Sequence, residues 1–173
     1  MRNPAKILLL IGCGAVAARA ATTTEYDIVF AGQPSGRQVT TIAADGSLTT
    51  RLSYRNNGRG PDLDERIAFA ADGGFASYRV KGTSTFGSKI DESYRRRGGR
   101  VSWRSSADRG ERTVQGAVQY LPVEGSFAAD AAIARVLLAA GGRGVAALPA
   151  GELTIERLAA RTVTHGGEQR AVA

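Results

Sequence analysis

The chain has 173 residues, 43% of them hydrophobic and 22 of them glycine, with only five Phe, five Tyr and one Trp. That is room for one core, with many turns and a light aromatic filling. A single histidine and a single cysteine speak against a multi-histidine metal centre and exclude an internal disulfide. The net charge of +7 falls to +4 once Arg2, Lys6 and Arg19 are set aside, because twenty basic residues then face sixteen acidic ones.

The first twenty residues read as a secretory signal: Arg2 and Lys6 form the basic region, Ile7 to Ala17 the apolar run, and Ala18-Arg19-Ala20 a small-x-small cleavage site. The apolar run is shorter than the roughly 20 residues a spanning helix needs. The expectation is a signal peptide over 1–20, cleavage near Ala20, and one β-rich domain over 21–173 in the periplasm or outside the cell. Leu10-Ile11-Gly12-Cys13 also has the form of a lipoprotein box, so lipid anchoring at Cys13 is the alternative.

From Thr24 the chain alternates in short segments separated by glycine turns, the pattern of an antiparallel meander. Tyr26, Ile28 and Phe30 share one face of a first strand, with a break over 32–36 around Pro34. A second strand runs from Arg37 to Ala43 and turns at Asp45-Gly46, where both residues tolerate positive φ. Leu48, Leu52 and Tyr54 line the buried side of a third. Tyr54-Arg55-Asn56-Asn57-Gly58-Arg59-Gly60-Pro61 follows as a sharply shaped loop, since Asn57 and Gly58 can both hold positive φ and Gly60 precedes a proline.

Glu65, Ile67 and Phe69 fall on one face of a fourth strand, which turns at Asp72-Gly73-Gly74. Ala76, Tyr78 and Val80 alternate with Ser77, Arg79 and Lys81 in a fifth, the pattern of a sheet with one wet face. A sixth spans Ser88 to Arg97 and turns at Gly98-Gly99, and Val101 and Trp103 point inward from a seventh. A polar turn over 107–110 leads to a strand from Thr113 to Tyr120. The period then changes: Ser126 to Ala140 is alanine-rich, Ser126 can cap it, and Gly141 can end it. Strand patterns resume over Leu153–Leu158, Arg161–His165 and Glu168–Ala173. The predicted fold is mainly β (α+β): a curved antiparallel meander or half-barrel packed against one helix at about 127–140. A strand running to Ala173 would leave an unpaired edge, which suggests a truncated C-terminus.

Catalytic constellations are scarce. His165 sits beside a Gly-Gly turn, and no Gly-x-Ser-x-Gly elbow offers a nucleophile. Gly58-Arg59-Gly60 lacks the lysine and following helix of a phosphate loop, and Gly141-Gly142-Arg143-Gly144 follows a helix instead of opening one. Asp62, Asp64 and Glu65, or Asp91 and Glu92, are paired carboxylates of the kind acid–base work uses, but Asp62 and Asp64 share one side of the strand, and such charged alternation marks a solvated face. No catalytic, cofactor or metal residue is assigned. Arg95, Arg96, Arg97 and Arg100 lie near Tyr94 and Trp103, which resembles a basic surface with stacking groups. Export makes nucleic acid an unexpected partner, so these four are candidates for weak contact with an anionic surface, against a solvated face countered by Asp91, Glu92, Asp108 and Glu111.

The run Tyr54 to Pro61, the acidic Asp64-Glu65, Thr85-Phe86-Gly87-Ser88-Lys89 with Asp91-Glu92 after it, and Ala134-Arg135-Val136-Leu137-Leu138 before Leu148-Pro149-Ala150-Gly151 together resemble the N-terminal, non-catalytic region of exported bacterial amidohydrolase-family proteins. The resemblance implies an accessory domain, inactive alone, beside a metal-dependent barrel in cis or in trans. Zinc or another divalent metal would belong to that barrel, whose His-x-His ligands have no counterpart here. Asn56, Asn57, Gly58, Arg59, Gly60, Pro61, Phe86, Gly87, Ser88 and Lys89 are then candidate interface or structural-loop residues. Two other readings stand beside it: a periplasmic module for a lipid or other apolar ligand, and a polyanion-binding envelope protein.

Overall fold

The computed structural model describes residues 20–156, 158–165 and 167–172. The signal-peptide reading, apart from Ala20, and the lipid anchor at Cys13 fall outside them. Eight strands, β1 (Thr22–Phe30), β2 (Gln33–Ile42), β3 (Leu48–Tyr54), β4 (Asp62–Phe69), β5 (Phe75–Thr83), β6 (Lys89–Arg97), β7 (Arg100–Arg104) and β8 (Arg109–Thr113), pair in chain order as one open antiparallel sheet. Each predicted hairpin turn is present: Gly46, Gly58, Gly73 and Gly98 all have positive φ. β2 starts earlier than its pattern suggested, because Pro34 sits beside a register shift at Ile28/Val29 on the edge strand and breaks no ladder there. β8 also starts early, inside the turn read over 107–110, because that turn closes sooner, with the Ser105 N–H donating to the Asp108 carbonyl oxygen at 2.8 Å.

Past β8 the structure departs from the sequence reading. The strand expected over 113–120 is divided: Gly116 turns the chain with φ 75°, and β9 (Val118–Tyr120) leaves the large sheet. Helix α1 (Phe127–Ala139) then returns the chain to β10 (Val145–Leu148), which pairs parallel to β9 and antiparallel to β11 (Glu152–Leu153). Within the stretch read as a strand over 153–158, only Leu153 is in a strand among the described residues. β12 (Arg161–His165) and β13 (Glu168–Val172) form a separate hairpin, as their pattern predicted.

Helix α1 starts where Ser126 accepts a hydrogen bond from the Ala129 N–H, satisfying one of the orphan amides of the first turn. It ends ahead of Gly141, whose φ is 64°. Ile133, Val136 and Leu137 bury against the sheet, at about 2 kcal/mol each for apolar area removed from water. The inner face of the sheet carries Leu52, Leu63, Ile67, Tyr78, Val80, Tyr94 and Val101, and Val118, Tyr120 and Leu148 cover it from the β9–β10 side. Arg112 donates to the Pro149 carbonyl oxygen at 2.7 Å and ties β8 to the segment after β10.

Candidate functional site

The turns at 54–61 and 84–88 meet in space. Asn57 (φ 52°) and Gly58 (φ 74°) form the tip of a tight turn closed by Asn56 N–H to Arg59 O (2.7 Å) and Arg59 N–H to Asn56 O (3.1 Å). Gly60 and Pro61 are buried beneath it, and a Cβ on Gly60 would collide with the Tyr54 carbonyl oxygen. Arg55 pairs with Asp62 at 2.6 Å, and its guanidinium, with a hydroxyl bond from Ser53, holds the Asp62 carboxyl below the usual carboxylate range. On the neighbouring turn Ser84 Oγ accepts from the amides of Phe86 and Ser88, which leaves Gly87, Ser88 and Lys89 exposed and Phe86 standing 78% in solvent. The Arg59 guanidinium lies 5.8 Å from the Phe86 ring centre.

The arginines separate by strand period. Arg95 and Arg97 project from the outer face of β6, whereas Arg96 turns to the inner side, where it pairs with Asp72 at 2.7 Å and donates to Gly116 O at 3.2 Å. Arg100 pairs with Glu111 across β7 and β8. Tyr94 and Trp103 are buried in the core, so they offer no stacking platform to Arg95 or Arg97. Asp91 lies 3.6 Å from both Arg79 and Arg104, and Asp108 accepts from the Trp103 indole at 3.2 Å.

Glu92 is no part of a solvated face, contrary to its reading in the sequence, and neither is Glu65. Both are about 2% exposed or less, on the inner side of the sheet. Glu65 accepts from the Ser126 amide (3.1 Å), from the Ser126 hydroxyl, and from the Tyr78 hydroxyl (2.8 Å), which also lies 2.7 Å from the Glu124 carbonyl oxygen. Glu92 accepts from the Tyr120 hydroxyl (2.7 Å) and the Val123 amide (3.0 Å). Burial pushes both carboxyls above their ordinary range, and the hydrogen bonds pull back against it. These two acids moor the β9–α1 connection to the sheet. The signal that could have found them is period two: Leu63-x-Glu65-x-Ile67 and Ile90-x-Glu92-x-Tyr94 place each acid between inward apolar neighbours.

A cleft of about 360 Å³ opens between β1–β3 and the Phe127–Arg135 part of α1. The sheet supplies Thr24, Tyr26, Gln38, Thr40, Ile42 and Leu48, and the helix supplies Phe127, Ala128, Ala131 and Arg135. Residues 128, 131 and 135 recur at spacings of three and four, so they share one helical face. Phe127 stacks on Tyr54 with ring centres 6.3 Å apart and closes one end. None of these residues was singled out as a site from the sequence, because the cleft is made by alanines that only the packing sets opposite a sheet.

Among the described residues no group of three or more His, Cys, Asp or Glu stands close enough to hold a metal ion, and no helix is long and apolar enough to cross a membrane. Comparison of the chain with protein-family models, with curated proteins and with solved structures returns no match.

Proposed function

We propose that this chain is a binding module that holds an apolar ligand in the cleft between β1–β3 and α1. One observation carries the reading: Tyr26, Ile42 and Phe127, exposed by 53, 43 and 47%, gather on a single cleft. Scattered apolar side chains need no explanation, whereas a concave cluster offers water-exposed area to a ligand. The cleft volume of about 360 Å³ falls within the range of small-molecule sites, roughly 300–1,000 Å³. Export, as residues 1–20 suggest, fits a carrier of apolar cargo through an aqueous compartment.

The test is fluorescence of N-phenyl-1-naphthylamine on the full chain. Enhancement is expected with the natural sequence and with Ala131→Ser, which leaves the cleft open. Ala131→Trp, which fills it from the exposed side of the helix, should lose most of the signal while melting at a similar temperature. No enhancement by the natural chain, or full enhancement by Ala131→Trp, defeats the reading.

The accessory-domain reading is favoured by a different observation, the meeting of the 54–61 and 84–88 turns around the exposed Phe86. An aromatic ring with an arginine over it is a common anchor at protein interfaces. That reading expects no hydrolysis of amide or imide substrates by the purified chain with added zinc, and measurable turnover would remove it.

A further inference from the structure

The cleft is not uniformly apolar, and its polar atoms restrict what it can hold. Gln38 is 4% exposed, and its side-chain carbonyl oxygen has no hydrogen-bond partner among the described residues. Its amide nitrogen donates to Thr40 Oγ1 at 3.4 Å, and Thr40 shares a 3.2 Å hydrogen bond with Thr50, so the local network absorbs the donor and leaves the carbonyl oxygen unpaired and shielded from water. A buried, unpaired carbonyl is costly, and a ligand donor would relieve that cost. Arg135 is exposed on the same cleft and forms no ion pair among the described residues. Apolar surface, one buried acceptor and one free cation therefore line a single space.

Resting on the apolar-site reading, the geometry points to a hydroxylated fatty acid as the ligand class. Its chain lies against Tyr26, Ile42 and Phe127, its carboxylate pairs with Arg135, and its hydroxyl donates to the Gln38 carbonyl. A neutral hydrocarbon would leave both polar groups unused. A dianionic headgroup would meet one cation at this cleft among the described residues, Arg135.

The experiment is displacement of N-phenyl-1-naphthylamine from the full chain at low ionic strength by methyl dodecanoate, dodecanoate, 3-hydroxydodecanoate and 12-hydroxydodecanoate. Dodecanoate should bind about twofold to fivefold more tightly than its methyl ester, and Arg135→Gln should erase that difference without affecting the ester. One of the two hydroxy acids should gain a further factor of about five, lost in Gln38→Leu and retained in Arg135→Gln. Equal binding of acid and ester, or an acid preference that survives Arg135→Gln, overturns the anionic class while the apolar site stands. Hydroxyl arms no tighter than dodecanoate overturn the role of Gln38. Loss of fluorophore with rising protein concentration, together with a dimer in sedimentation, shows a second copy in the cleft and overturns the proposal. Fluorophore that never binds defeats the apolar-site reading itself.

Discussion

The inner face of the sheet is closed at one end and open at the other, although the same helix lies over both. Beneath β9 and the Ile133–Leu137 part of α1, rings interlock: Phe75 stacks on Tyr78 at 5.6 Å, Tyr94 on Tyr120 at 4.7 Å, and Tyr78 meets Tyr120 at 5.9 Å. Beneath residues 128 and 131 the helix presents only methyl groups, and the facing strands present Gln38, Thr40 and Ile42. The difference teaches that helix side-chain volume, and not the position of the helix, decides where this core is sealed. At the closed end Glu65 and Glu92 have donors for their oxygens, although the Gln119 carbonyl oxygen and the Tyr94 hydroxyl there lack a partner among the described residues; at the open end the likewise unpaired Gln38 carbonyl belongs to a residue that lines the cleft.

Breaking the closed end should have the largest effect. Glu65→Ala leaves Ser126 and Tyr78 without their shared acceptor, and urea unfolding should show a loss of roughly 2–4 kcal/mol. Ile42→Ala, at the half-exposed rim of the cleft, should cost less than about 1 kcal/mol. Equal losses would erase the contrast between the two ends.

A gentler cut sharpens it. Tyr120→Phe keeps the ring stack with Tyr94 and removes only the hydroxyl that Glu92 accepts, so thermal or urea melts should show about 1–2 kcal/mol of destabilisation. No change would mean that the Val123 amide alone satisfies Glu92.

The smallest expected effect is one of pH. Burial raises the Glu65 and Glu92 carboxyls above the unfolded value of 4.5, so between that value and their folded values the native state binds more protons than the unfolded chain. Their contribution is fully present below pH 4.5 and is lost as pH rises through the folded values. Glu65→Gln removes one of the two titrations. The stability of that variant relative to the natural chain should therefore shift in its favour from pH 4.5 to 7, and a difference flat in pH would show that Glu65 does not titrate in this window.

The turns were legible because local chemistry decides them: Asp45-Gly46, Asn57-Gly58 and Asp72-Gly73 each carry a residue that tolerates positive φ between alternating strands. The helix was legible for the same reason, from Ser126 to Gly141. β10 was not, because glycines precede it and alanines fill it, and its partner β9 lies on the far side of α1 in the chain. The inward face of Glu65 and Glu92 was written in the period of β4 and β6, but what covers them was not, because their partners lie 61 and 28 residues away. The cleft was least legible of all, since Ala128 and Ala131 carry no chemistry and mark a site only by what they fail to fill.

The strict sequential order of β1 to β8 has a consequence in time. Every pairing in the large sheet joins neighbours along the chain, so each hairpin can close across a short loop before the rest exists. The contact of Glu65 with Ser126 is of another kind, since it closes a separation of 61 residues and carries a larger loop-closure cost than any of these hairpins. The dehydration of both carboxylates is therefore tied to the docking of β9 and α1, so protonation favours that closure and not the local hairpins.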